Sequence, residues 1–124
     1  MLQGICMNVK ESLMQKHIIS EYQADQLMKN MKYWKLNDTI YPGTIMAKIN
    51  AEINMVYTIL DFIKDLGILE VNYEIYCQQC NKFNGKVYRT LGSIPKGLCC
   101  DECNHIIDIF TDTIVIYRVV KDGR

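Results

Sequence analysis

The stretch Cys77-Gln78-Gln79-Cys80-Asn81-Lys82-Phe83 and its near copy Cys100-Asp101-Glu102-Cys103-Asn104-His105-Ile106 share one pattern, Cys-x-x-Cys-Asn-x-apolar. A short turn with a cysteine at each end can present two sulfurs to one ion. The residue after the second cysteine then has to adopt a left-handed backbone, which asparagine tolerates better than most side chains. Nineteen residues separate the two pairs, enough for a strand out and back. Two CxxC pairs at this spacing form a zinc-site pattern, so Cys77, Cys80, Cys100 and Cys103 are the expected ligands of one structural Zn2+. The repeat also resolves the adjacent pair Cys99-Cys100: only Cys100 stands in frame with Cys103, which leaves Cys99 as a packing or spare residue. Iron held by four thiolates, a disulfide pair and a redox dithiol are the competing readings. No βαβ pattern surrounds either pair, as a thioredoxin-like site would require. Four thiolates close the coordination sphere, so His105 is expected beside the site rather than in it, and Cys6 and His17 as bystanders.

On either side of the cysteines the chain changes character. Before them, apolar residues recur with helical period. Ser20-x-x-Gln23 and Asn8-x-x-Glu11 resemble capping boxes and open helices over about 21–35 and 9–19. Ala24, Leu27, Met28, Met31 and Trp34 form one stripe of the longer helix. After the loop signals Asn37-Asp38 and Pro42-Gly43, Thr44 can cap a short helix over 45–49. A tight turn at Asn50-Ala51-Glu52 follows, then a helix over 53–66 with Ile53, Val56, Ile59, Leu60, Ile63 and Leu66 on one face. Gly67 stops that helix. From Leu69 to Tyr76 apolar and polar residues alternate, which predicts a strand with Leu69, Val71, Tyr73 and Ile75 inward. Strands are also expected over 85–91, 106–110 and 113–120, with a turn at Thr111-Asp112. The expected class is α+β: a helical domain over 1–76, followed over 77–124 by a small antiparallel β ribbon built on the four cysteines.

Composition bounds the function. The 124 residues are 49% hydrophobic and 23% charged, ordinary for a globular chain, and no apolar run reaches the roughly 20 residues of a membrane helix. The start of the chain lacks the basic and apolar regions of a secretory signal, so a cytoplasmic location is expected. Fourteen basic and fourteen acidic side chains cancel. That balance disfavours binding that rests on phosphate neutralisation alone. There is no nucleophile motif, no glycine-rich phosphate loop and no open metal site, and the expectation is a protein that is not an enzyme.

The segment from Thr44 to Leu69 resembles the winged-helix family. A small Ala47 lies on the short helix, an apolar residue follows, and a long helix closes through Leu66-Gly67-Ile68-Leu69 into a strand. Together with the cysteine pairs, the layout is similar to the winged-helix plus zinc-ribbon arrangement of the large subunit of general transcription factor E. It is also similar to that of small bacterial regulators and defence-operon components. In DNA-binding members of the family the long helix enters the major groove, and the resemblance implies a duplex-DNA-binding regulator. Here that helix carries one lysine, Lys64, against Asp61 and Asp65, and the following strand carries Glu70 and Glu74. This departure favours an adaptor or regulatory subunit that works through protein contact, as in a bacterial or phage defence assembly. Met55 and Phe62 lie seven residues apart, off the centre of the apolar stripe. They are either the edge of a wide buried face or a docking strip for a protein partner. Lys86, Arg89 and Arg118 are the candidate nucleic-acid contacts, with a scattered solvated face as the plain alternative.

Overall fold

The computed structural model describes residues 3–16 and 18–121, with the backbone alone for 3–8. Among these residues there are four α-helices: α1 (Gln3–Gln15), α2 (Glu21–Met31), α3 (Pro42–Ile49) and α4 (Ile53–Asp65). Four strands, β1 (Thr39–Ile40), β2 (Leu69–Cys77), β3 (Lys82–Tyr88) and β4 (Thr113–Val119), form one antiparallel sheet in the order β1-β4-β2-β3. The class is α+β. No helix among the described residues is long and apolar enough to cross a membrane.

The chain divides into two compact units. One runs through Glu70 and resumes at Tyr117; the other is Val71–Ile116. Where the sequence suggested one cut between 76 and 77, the cysteine-bearing unit lies within the span of the first, and β4 carries the chain back.

The first unit is built on helical stripes. Ala24, Leu27 and Met31 of α2 are fully buried, and Trp34 just beyond it is nearly so. Its start is the expected capping box: Gln23 N donates to Ser20 Oγ and Ser20 N to Gln23 Oε1, both at 3.1 Å. Asn8 heads no helix, because α1 already begins at Gln3. Likewise Thr44 caps nothing. Helix α3 starts two residues earlier, with Pro42 in its first turn, where a fixed φ and a missing N–H suit a helix start. Asn50 ends α3 in the left-handed region, at φ 54°. After the turn, α4 buries Val56, Ile59, Leu60 and Ile63 completely. Gly67, at φ 81°, ends that run, and its N–H reaches Lys64 O at 2.8 Å. Tyr117 is buried, and its hydroxyl donates to Asp61 Oδ1 at 2.7 Å. The anionic acceptor makes this one of the stronger kinds of hydrogen bond.

In the second unit the period-two reading of β2 fails part-way. Asn72 and Glu74 are buried, whereas Val71 and Tyr73 are only half-buried. The strand lies between β4 and β3 in the sheet. The β2–β3 register shifts between Glu74 and Tyr76, from the pair Glu74↔Val87 to Tyr76↔Phe83. The extra β3 residues include Gly85, at φ 77°. Strand β3 starts three residues before the expected 85. No strand forms over 106–110; only a single bridge links Cys99 and Ile106. Replacing Ser20 with Ala removes one arm of the capping box and should cost about 1 kcal/mol, read as a lower urea midpoint at unchanged slope.

Candidate metal centre

Both cysteine turns adopt the conformation their sequence repeat implies. Asn81 and Asn104 lie in the left-handed region, at φ 57° and 60°. Each amide turns back on the first cysteine of its own turn: Asn81 N to Cys77 O at 2.7 Å and Asn104 N to Cys100 O at 2.9 Å. The second turn is closed further by Cys100 N to His105 O and Ile107 N to Leu98 O, both at 2.8 Å.

The four sulfurs meet reciprocally. Cys77 Sγ lies 3.6 Å from Cys103 Sγ, and Cys80 Sγ lies 3.6 Å from Cys100 Sγ, so the first cysteine of each turn faces the second of the other. All four Sγ atoms fall within 4.8 Å of one another. These separations are far longer than the roughly 2.05 Å of a disulfide. They are close to the roughly 3.8 Å edge of a tetrahedron whose corners stand about 2.3 Å from a central ion. The residues therefore fit a single tetrahedral, thiolate-bound metal ion. Cys77 and Cys100 are buried while Cys80 and Cys103 are half-buried, so the cluster has one sheltered and one outer side. Cys99 is exposed and bonds only its own turn, Sγ to Gly97 O at 3.4 Å, which matches its exclusion from the repeat.

The local fields differ among the thiols. Backbone amides of Glu102 and Cys103 aimed at its sulfur bring Cys100 down to about 7. Burial, followed by hydrogen bonding to neighbouring thiols, pushes Cys80 up to about 12. Cys103 also rises: the amide of His105 favours its thiolate, but burial and the adjoining thiols outweigh it. Cys100 thus favours the thiolate, whereas an ion binding here has to displace protons from Cys80 and Cys103.

Asp112 is the residue that sequence reading missed. In Thr111-Asp112-Thr113 it looked like an ordinary turn residue, and nothing in its spacing marked it. Its side chain is 1% exposed and gathers both cysteine turns. Oδ1 accepts from Gln78 N, inside the first turn, at 2.9 Å. Oδ2 accepts from Asp108 N at 2.8 Å and lies 2.9 Å from Nε2 of His105, immediately after the second turn. Its backbone carbonyl accepts from Tyr76 N at 2.9 Å. Burial opposes the charge of this carboxylate, but the amides of Asp108 and Gln78, and then His105, hold it below its ordinary range. His105 is therefore a partner of Asp112 and not among the clustered ligands.

Other candidate residues are placed as follows. Met55 and Phe62 are half-buried, and Lys16 Nζ stands 4.6 Å from the Phe62 ring centre. Lys86 lies 3.9 Å from Asp101, Arg118 lies 3.4 Å from Glu70, and Arg89 is exposed just beyond β3. Arg89 belongs to the second unit and Arg118 to the first. Comparison with protein-family profiles, with characterised proteins and with solved structures finds no match for this chain.

Replacing Cys100 with Ser should abolish stoichiometric metal in native mass spectrometry, while Cys99→Ser should leave it unchanged. Asp112→Asn should cost about 1–3 kcal/mol, because one anionic acceptor for several buried donors is lost. The folded carboxyl titrates lower than the unfolded one. Its contribution is thus complete above the unfolded value of about 3.9 and is lost as pH falls through the folded value, so the wild-type advantage in denaturant melts should shrink on that side only.

Proposed function

We propose that this chain is a zinc-stabilised, non-catalytic binding module that serves as an adaptor or regulatory subunit through protein contact. Zinc suits four clustered cysteines better than a redox role does, since two CxxC turns facing each other form a closed tetrahedral set. Such a set has no open position for water or substrate, which argues against chemistry at the metal. Its contribution is to folding.

The first unit supports a winged-helix reading. Its elements run α1, α2, β1, α3, a tight turn and α4 into the start of β2, and the end of β4 returns between β1 and β2 in the sheet. The cysteine-bearing segment then occupies the span between β2 and β4, where a wing would stand. Helix α4 would be the reading helix.

The observation that carries the adaptor reading is the state of the cations. Lys64, the one cation of α4, stands 4.0 Å from Asp61 and 3.9 Å from Asp65. Lys86 and Arg118 likewise face Asp101 and Glu70. Each of these pairs is worth little by itself. A duplex approaching these cations would nevertheless bring its phosphates up against their carboxylates, and that repulsion opposes groove binding. Exposed apolar side chains, by contrast, are present on the second unit, with Phe110 80% and Ile106 65% exposed. The helix–turn–helix formed by α3 and α4 is the feature that favours the second reading, a duplex-DNA-binding regulator.

Two measurements test the proposal. Protein purified without added metal should contain one zinc per chain by elemental analysis, and a chelator should lower its melting temperature; absence of metal would overturn the zinc assignment. In mobility-shift assays with mixed duplex DNA, no complex should form at moderate salt, and cross-linking should instead capture a protein encoded nearby. A duplex complex whose log affinity falls steeply with log salt would establish the DNA reading in its place.

A further inference from the structure

Helices α2 and α3 of the first unit enclose an open groove of about 560 Å3, with β1 at one end. Each helix contributes one face. Lys29 and Tyr33 line it from α2 and the turn after it, Tyr41 and Lys48 from the two ends of α3. The floor is apolar and nearly closed to solvent: Trp34 is 4%, Ile40 7% and Ile45 2% exposed. Gln23, at the start of α2, donates from Nε2 to Asn50 O, at the end of α3, at 3.1 Å. That bond ties the start of α2 to the end of α3.

Tyr33, just past the end of α2, and Tyr41, at the start of α3, both line the groove. Tyr33 is 72% exposed, with Lys32 Nζ 5.8 Å from its ring centre. Lys29 is one turn back along α2, and Lys48 stands at the far end of α3. Both lysines are exposed, and neither ammonium pairs with a carboxylate among the described residues. Lys10, Lys64, Lys82 and Lys86, by contrast, each face a carboxylate. The carboxylate on the groove wall, Asp38, already accepts from Lys35 N at 2.8 Å.

We infer that this groove is a docking site for a short acidic segment of a partner protein, with an apolar or aromatic side chain against Tyr33 and Tyr41 and carboxylates facing Lys29 and Lys48. Charge complementarity selects the acidic occupant, since the groove offers two unpaired ammonium groups. The dimensions select an extended segment. The walls, Gln26 to Tyr33 and Tyr41 to Lys48, each span eight residues, roughly 10 Å at helical rise, and an extended chain covers that in about three residues. Lys29 lies four positions from Tyr33, roughly 6 Å along the axis, which places the first carboxylate about two residues from the anchor. Gln26, Asn30 and Thr44 also line the groove and offer hydrogen bonds to the backbone of such a segment. An open trough with fixed walls suits a peptide, whose ordering cost is lowered when the receptor is already formed.

This inference rests on the reading of the chain as a protein-binding module, and the experiment separates the two. Phage-displayed random heptapeptides are selected on the full-length zinc-loaded protein. The expected consensus is an aromatic or large apolar residue followed two or three positions later by Asp or Glu. The Lys29→Gln, Lys48→Gln double variant should bind the selected peptide about fivefold more weakly or worse, as should the wild type with a peptide whose acids are replaced by amides. Tyr33→Ala should weaken it as well. All three positions are exposed, so melting temperatures should be unchanged, which keeps a loss of binding separate from a loss of fold. No enrichment, a consensus without acids, or equal affinity for the double variant would overturn the assignment. So would a single-stranded oligonucleotide that outcompetes the peptide through the same lysines. Such failures leave the adaptor reading standing, whereas duplex binding would remove that reading without altering the peptide result.

Discussion

Four sulfur atoms have to converge from two turns that are twenty-three residues apart in sequence, Cys77 to Cys100, and the second unit is organised around that convergence. Its apolar centre consists of Ile75, Ile94 and Ile107 with Cys77 and Cys100 themselves. So small a cluster buries little area. At about 25 cal/mol per Å2, three isoleucine side chains supply only some 5–9 kcal/mol before the entropy of ordering the segment is counted. Two of the five buried residues are also candidate ligands. In this unit, packing and coordination are performed by the same side chains, and an ion bound only by the folded form would stabilise it directly.

Asp112 shows how such a centre is held between elements that are remote in sequence. One carboxylate accepts from an amide inside the first cysteine turn and lies against the histidine that follows the second. A buried charge is unfavourable unless its lone pairs are filled. Here three donors fill them, and the result sets the distance between the two turns independently of the sulfurs. An amide at this position would keep the shape but not the charge that makes those bonds strong.

The cysteine repeat was legible because it is local. Both the left-handed asparagines and the choice of Cys100 over Cys99 follow from residues within one turn of the ligand. Helical stripes were legible for a similar reason, since burial of Ala24, Leu27 and Met31 repeats with the period of the helix itself. Helix starts were less so. Pro42 begins α3 through its own ring geometry, ahead of the Thr44 that side-chain chemistry suggested. What could not be read was anything set by a neighbouring strand. Asn72 and Glu74 of β2 are buried although polar, and alternation within one strand says nothing about what covers each of its faces. Asp112 is the same case at the metal centre: its partners lie 34 and 7 residues away, and no spacing rule connects them.

The path of the chain has a further consequence for how the two units depend on each other. The first unit is completed only when β4 returns, since Val120 N bonds Ile68 O at 2.9 Å and Asn37 N bonds Val119 O at 2.8 Å. Between β2 and β4 lies the segment 78–112, some 35 residues. If that segment lost its order, it would become a loop whose closure the β2–β4 pairing must sustain, at an entropic cost on the order of 3 kcal/mol plus a constant. That is a substantial part of the 5–15 kcal/mol by which small domains are stable. A metal ion bound by the four cysteines would thus bear on the helical unit through chain connectivity alone. The effect scales only with the logarithm of segment length, so a change of length at exposed positions of the segment is better tolerated than any change to the four sulfurs that close it.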